Sequence, residues 1–99
     1  MTKTLILPLS KKAFEITGTN EKMFELRNYS KWIESRLFDK DGIPKHYNKI
    51  QFPLGYSKDR KIKTFAFRGV YIFKYDKKYT FSNGLSFEVK AGDYIISFS

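Results

Sequence analysis

Three charged residues in the first third of the chain, Lys22, Glu25 and Arg27, have types and a spacing that suit recognition chemistry. Met23 to Arg27 alternates apolar and charged residues, as a half-buried strand does, so Glu25 and Arg27 point the same way. A carboxylate accepts hydrogen bonds from exocyclic amines, whereas Lys and Arg donate to phosphate oxygens. The cluster predicts a cleft for a nucleobase or phosphate. The alternative is an ordinary ion pair on a solvated strand face.

The same cluster has a catalytic interpretation, that of a small hydrolase. A desolvated Lys22 could act on a proton or a carbonyl, Glu25 could serve as base, and Thr17 or Thr19 could offer a hydroxyl. The chain has no Cys and one His, His46, which excludes a thiol nucleophile and a two-histidine ribonuclease. Carboxylates are scattered along the sequence and no phosphate-loop glycine spacing is present, so we expect neither a metal nor a cofactor.

Net charge points to a polyanionic partner. The chain carries 19 Lys and Arg against 10 Asp and Glu, which leaves +9. Fifteen of the 19 cations are lysines, which favours diffuse phosphate contact over the forked arginine contacts that read guanine in a duplex. We therefore expect binding to RNA or single strands. A small basic domain also fits a phage or mobile-element protein that inhibits a host nuclease or defence factor by protein contact.

Two further groups of residues extend the predicted interface. The first group offers aromatic faces on which a base can stack, and it comprises Tyr29, Trp32 and Tyr56. The second group is a cationic rim that can follow a single-stranded backbone, and it comprises Lys58, Arg60 and Lys61. A solvated hairpin is the alternative for this rim, because lysines at turns also keep sheet edges from pairing with other chains.

The pattern of apolar residues and turn signals predicts the elements that position these groups. In chain order we expect a strand from Thr4 to Leu9, a helix from Ser10 to Thr17, a strand from Met23 to Arg27, a helix capped by Ser30 that ends before Asp39, and strands from Tyr47 to Phe52 and from Ile62 to Tyr75. A bulge is expected at Gly69, and Asn83-Gly84 predicts a hairpin. The last strand, Tyr94 to Phe98, is expected to be an edge that could pair with a second copy.

Taken in order, the short helix, Gly18, Lys22 and the Glu25-x-Arg27 strand resemble the ASCH domain of the PUA-like superfamily. The resemblance implies nucleic-acid binding, or hydrolysis of RNA or of an amide on a modified nucleobase. Lys22 stands four positions after Gly18, where the family more often has two, and Met23 stands where the family usually has a hydroxyl. The second departure argues against the amidohydrolase interpretation.

The resulting prediction is an α+β fold: a small PUA-like mixed β-barrel of about six strands with two short helices, covering 1–99 as one domain. No apolar stretch is long enough for a membrane span. We expect a soluble cytoplasmic protein that is a monomer or a weak homodimer and binds no membrane.

Overall fold

The structure is a computed structural model that describes residues 3–55 and 60–99. Within these ranges the chain forms seven strands and two helices, which in order are β1 (Thr4–Ile6), α1 (Lys11–Ile16), β2 (Phe24–Arg27), α2 (Lys31–Leu37), β3 (Lys49–Pro53), β4 (Ile62–Ile72), β5 (Lys77–Thr80), β6 (Ser86–Val89) and β7 (Tyr94–Phe98). The predicted α+β class is confirmed. Neither helix in the described ranges has the length and apolarity to cross a bilayer.

The described strands form two open sheets. One has the order β1-β3-β4-β7-β2, with β1 parallel to β3 and the other pairs antiparallel, and the second is the β5-β6 hairpin. The predicted closed barrel is therefore not confirmed, because the edge strands β1 and β2 do not pair. β1 ends ahead of Pro8, which has no N–H to offer to a ladder. A side chain bridges the two edges instead: Arg27 Nη2 donates to Pro8 O at 3.0 Å.

β7 has the bounds that the sequence predicts, but its predicted position was wrong. It lies between β4 and β2 and pairs with both, so it is not an edge that could pair with a second copy. Its alternating burial places Tyr94, Ile96 and Phe98 in the core. Alternation is typical of any strand with one buried face and carries no information about strand order.

β4 is the longest strand and contains the predicted bulge. Its residues up to Ala66 pair with β3, and its register against β7 shifts between Phe67 and Gly69. The first half of β4 therefore pairs with β3 and the second half pairs with β7. A bulge of this kind increases the local twist, and it curls the five-stranded sheet around its buried side chains.

α2 closes one side of that core. Ser30 caps it as predicted, since Ser30 Oγ accepts a hydrogen bond from Ile33 N at 3.1 Å. Ile33 and Leu37 are four residues apart, lie on one helix face and are buried. The cluster that they join consists of Leu5, Leu7, Leu9, Ile50, Phe52, Tyr94, Ile96 and Phe98.

The β5-β6 hairpin is confirmed and docks onto the first part of the chain. Its loop is closed by Phe81 N, which donates to Leu85 O at 2.8 Å. Glu21 accepts hydrogen bonds from the Ser82 hydroxyl and backbone N–H at 2.6 and 2.7 Å, and these bonds lower the pKa of Glu21. Asn83 Nδ2 donates to Lys12 O at 2.8 Å. The hairpin thereby becomes a wall beside α1 and β2.

Gly18 turns the chain back after α1 so that Lys22 returns beside Thr17. Gly18 N donates to Lys22 O at 2.8 Å, and Thr17 and Lys22 form an isolated parallel bridge. Gly18 has φ of +89°, which L side chains rarely adopt, and a Cβ at this position would overlap the ring of Phe65. Only glycine satisfies both the backbone and the packing here.

Replacement of Gly18 by Ala is expected to destabilise the fold more than Gly92→Ala, which has φ of +98° but no neighbour within 4 Å of its Cβ position. The positive φ alone costs about 1 to 2 kcal/mol, and displacing Phe65 adds about 1 to 3 kcal/mol for Gly18→Ala. Urea unfolding of both variants measures the difference. Equal losses would show that Phe65 does not pack on Gly18.

Asp93 ties the β2-α2 connection to the turn before β7. It is buried, and its carboxylate accepts from Tyr29 N, Asn28 Nδ2 and Lys90 N, each at 2.8 Å. Burial raises the pKa of Asp93, but these three hydrogen bonds outweigh burial and leave the pKa below its ordinary value of 3.8. The charged form is therefore the one that the fold stabilises.

Asp93→Asn is expected to destabilise the protein by about 1 to 3 kcal/mol at neutral pH, since an amide cannot accept all three bonds. Because the folded pKa is depressed, the stabilisation by Asp93 is complete above the ordinary value and is lost as pH falls through the folded value. Urea unfolding between neutral pH and pH below about 3 tests both statements. Asp41→Asn, on an exposed carboxylate, is the control, and an equal loss in it would contradict the prediction.

Candidate functional site

Lys22, Glu25 and Arg27 form a buried ion network, which we call the Lys22–Glu25–Arg27 network. Lys22 is 2% exposed and Glu25 is 4% exposed. Lys22 Nζ donates to Glu25 Oε1 at 2.8 Å, and Arg27 Nε donates to Glu25 Oε2 at 2.8 Å. Each carboxylate oxygen thus has its own cation. The predicted proximity of the three residues is confirmed, and the alternative of a solvated surface ion pair is wrong.

The network is buried because both faces of β2 are covered. Leu26 is 3% exposed and shares its face with Phe24, whose ring packs against that of Tyr79 in the hairpin at 5.5 Å between centroids. Glu25 pairs with Ile96 of β7, which is fully buried in the core cluster, so Glu25 points to the core side of the sheet. The sequence of β2 indicates neither neighbour, because both β7 and the hairpin lie far along the chain.

Thr17 adds a buried hydrogen bond to the network. Its Oγ1 accepts a hydrogen bond from Lys22 Nζ at 2.9 Å, and it is fully buried. Of the two predicted hydroxyls, Thr17 is the one that joins the cluster, because Thr19 Oγ1 donates to Ile16 O at 2.7 Å instead. Thr17 does not line the cavity described below, so it holds Lys22 in place and is out of reach of a ligand in this conformation.

An open cavity of about 350 Å³ lies over the network. Lys22, Glu25 and Arg27 line its polar side, Ser10 and Ala13 lie on the α1 side, and Leu85 and Phe87 of the hairpin form an apolar wall. Two cations and one anion leave a net charge of +1 at this surface. The cavity therefore suits a ligand with an anionic group beside an apolar or aromatic part.

Arg27 is the member of the network that reaches toward solvent. Its side chain is 23% exposed, against 5% for Glu25. Nε is held by Glu25 and Nη2 by Pro8 O, so the guanidinium plane has a fixed direction. Its Nη1 has no hydrogen-bond partner among the described residues. Such a pre-oriented fork presents donors to an oxyanion with little loss of side-chain entropy.

Two of the predicted interface residues lie in a second place. Trp32 and Arg60 line a groove beside β1 and α2, which shares only Pro8 with the cavity over the network. Tyr29 lies apart from both, since its N–H donates to Asp93 and its ring centroid lies 6.3 Å from that of Tyr94.

The basic rim is described only in part. Lys61 is exposed and lines neither cavity, whereas Arg60 is half-buried. The predicted residues Tyr56 and Lys58 lie outside the described ranges. Within those ranges no group of three or more His, Cys, Asp or Glu residues could hold a metal ion.

Sequence reasoning missed Phe87 and Asn28 as residues of the cavity. Phe87 is half-buried and lines the same cavity as Arg27. Asn28 Nδ2 donates to Glu88 O at 3.1 Å, which fastens the hairpin to the end of β2. The hairpin signal at Asn83-Gly84 predicts the strand that carries Phe87, but no local signal predicts where that hairpin docks.

Comparisons of the chain with protein-family models, with curated proteins and with solved structures found no match. The resemblance to the ASCH domain thus stays a prediction that rests on Gly18, Lys22, Glu25 and Arg27.

Removal of the buried carboxylate is expected to destabilise the fold strongly. Glu25→Gln leaves Lys22 buried without a counter-charge, and breaking one side of a buried pair costs about 3 to 5 kcal/mol. Arg27→Ala removes the partner of one Glu25 oxygen but leaves Glu25 paired with Lys22, and it is expected to cost less, about 1 to 3 kcal/mol. Urea unfolding of the two variants at neutral pH gives the comparison. A Glu25→Gln protein as stable as Arg27→Ala would contradict the burial of this network.

Proposed function

We propose that the protein binds single-stranded nucleic acid, with RNA favoured, and that the cavity over the Lys22–Glu25–Arg27 network receives one nucleotide. The observation that carries the proposal is the guanidinium of Arg27, whose side chain is 23% exposed and which Glu25 and Pro8 fix in the lining of a cavity with a net positive charge. A phosphate oxygen is the acceptor that this donor group fits.

The shape and lining of the cavity support a single nucleotide. A volume of about 350 Å³ is at the small end of ligand sites, and a concave site of this size has no room for a base-paired duplex. Leu85 and Phe87 offer an apolar surface opposite the charges. A base can pack on Phe87 while its phosphate meets Arg27.

The network itself is assigned a positioning role. Lys22 and Glu25 are too deeply buried to follow a flexible strand, and both Glu25 oxygens accept from cations. They fix the direction of Arg27, and the surplus positive charge attracts the phosphate. The overall charge of +9 adds affinity that does not depend on sequence.

The resemblance to the ASCH domain belongs to this proposal. It is supported by the meeting of Lys22, Glu25 and Arg27 in one cluster after a short helix and Gly18. For the fold, the proposal is an open relative of the PUA-like barrel in which Arg27 and Pro8 bridge the two unpaired edges.

One observation favours hydrolysis as a second candidate function. Lys22 Nζ lies 2.9 Å from Thr17 Oγ1 and 2.8 Å from Glu25 Oε1, an amine between a hydroxyl and a carboxylate. Such a chain is typical of an activated nucleophile once the Lys22 ammonium group has passed a proton to Glu25 and can accept the proton of the Thr17 hydroxyl. Thr17 is fully buried, so this function requires an opening motion. Incubation with RNA and with an amide-bearing nucleoside, using Thr17→Val as control, tests it: turnover that Thr17→Val abolishes supports hydrolysis.

The binding proposal predicts that Arg27→Ala lowers the affinity for single-stranded RNA about tenfold, because a charge-assisted hydrogen bond is lost with the charge. Arg68→Ala is the matched control. It removes the same charge from an exposed site on β4 where Arg68 Nε donates to Ser99 Oγ, and it is expected to lower affinity less than about threefold.

Fluorescence anisotropy with labelled single-stranded RNA, single-stranded DNA and duplex, titrated with salt, measures these affinities. Equal losses of affinity in the two arginine variants would show that binding rests on diffuse charge attraction and not on a site at Arg27. Absence of binding near physiological salt would refute the proposal and direct the search to a protein partner.

A further inference from the structure

A second open cavity, of about 320 Å³, lies between the edge strand β1 and helix α2. Its apolar, aromatic and cationic lining residues include Ile6, Pro8, Trp32, Arg36, Tyr47 and Arg60. We call it the Trp32 groove. It combines aromatic and apolar surface with two arginines, and no described residue that lines it is acidic.

Trp32 has no role in the core that explains its size. The core face of α2 is formed by Ile33 and Leu37, whereas Trp32 is 47% exposed. The guanidinium carbon of Arg36 lies 5.1 Å from the indole centroid. This contact orients the ring and leaves almost half of the side chain open to a ligand.

The two arginines give the groove a charge that suits a phosphodiester. Arg36 belongs to α2, and its carbonyl accepts a hydrogen bond from the Tyr47 hydroxyl, which ties the helix to the start of β3. Arg60 precedes β4 and makes a long hydrogen bond, 3.4 Å from Nη1 to Gly55 O. Phosphate oxygens can therefore compete for the Arg60 guanidinium.

The Trp32 groove adjoins the cavity over the network. Pro8 lines both, and its carbonyl accepts from Arg27 Nη2, so Pro8 is the partition between them. A strand with one nucleotide at Arg27 has a cationic, aromatic surface directly beside it.

We propose that the Trp32 groove is a second nucleotide subsite, in which a base stacks on Trp32 while Arg36 and Arg60 hold the adjoining phosphate. This inference rests on the proposed function, since it gives the single strand bound at Arg27 a path across Pro8. It also gives the protein a preference for oligonucleotides over mononucleotides, because two linked sites bind more tightly than either alone.

Trp32 is the only tryptophan of the chain, so fluorescence that is excited beyond the absorption of the seven tyrosines reports on this subsite alone. The probes are an octauridylate, a deoxythymidine octamer, an abasic ribose-phosphate octamer and uridine monophosphate. Both base-containing octamers are expected to quench the fluorescence, the RNA more strongly than the DNA, and the abasic octamer is expected to leave it unchanged.

Affinity measurements with the labelled octauridylate complete the test. Trp32→Leu is expected to lower affinity about tenfold, which is the effect of losing one base–aromatic stack, and Trp32→Phe is expected to restore most of it. Tyr71→Leu is the matched control, since Tyr71 is an exposed aromatic residue on β4 outside the groove. Each substituted side chain is exposed, so the variants keep the core intact.

The outcomes separate this inference from the proposed function. RNA binding that survives Trp32→Leu unchanged, with no quenching, overturns the subsite and leaves the Arg27 site standing. Equal binding of the abasic octamer overturns stacking. Equal quenching by an oligoglutamate peptide overturns the nucleic-acid assignment of the groove. If the wild-type protein binds none of the nucleic-acid probes, both the proposed function and the subsite are refuted.

Discussion

The buried carboxylate of Glu25 is the constraint on which the rest of this region depends. A carboxylate removed from water destabilises a fold unless cations and hydrogen bonds replace its hydration. Here the replacement is complete, because Lys22 holds one oxygen and Arg27 the other. Lys22 reaches Glu25 only because the chain reverses at Gly18, whose φ and whose contact with Phe65 admit no side chain.

The same constraint gives Arg27 its direction. With Nε committed to Glu25 and Nη2 to Pro8 O, the guanidinium joins the two edges of the curled sheet and also faces the cavity. One side chain thus contributes to closing the fold and to the lining of the cavity. These two bonds orient the guanidinium although α1 and β2 are short and the hairpin belongs to a separate sheet.

Local signals in the sequence predict most of the elements, because local contacts determine them. Ser30 caps α2 through its own side chain, Asn83-Gly84 closes a hairpin between adjacent strands, and Gly69 marks a bulge within one strand. The order of strands depends on contacts between distant residues, and alternation within a strand does not encode it. That is why β7 was expected at an edge and why the barrel was expected to close.

For the candidate site, too, the sequence predicted the local arrangement of residues and not the contacts between distant ones. The spacing of Glu25 and Arg27 indicates that they share a strand face, and the structure confirms it. The burial of Glu25 was not predictable, since it depends on pairing with Ile96 of β7, far along the chain, which places the carboxylate on the core side of the sheet. The role of Phe87 was missed because the sequence does not distinguish an aromatic strand residue that faces a core from one that faces a cavity.

The placement of the arginines argues more strongly for a polyanionic ligand than the net charge does. Lysines make up most of the excess charge, and lysines at turns serve solubility and edge protection as well as binding. The chain has only four arginines. Arg27, Arg36 and Arg60 line the two cavities that adjoin at Pro8, each with a protein contact that orients or tethers it. Diffuse attraction needs only charge, whereas oriented guanidinium groups beside Trp32 and Phe87 favour a ligand that alternates phosphates with flat bases.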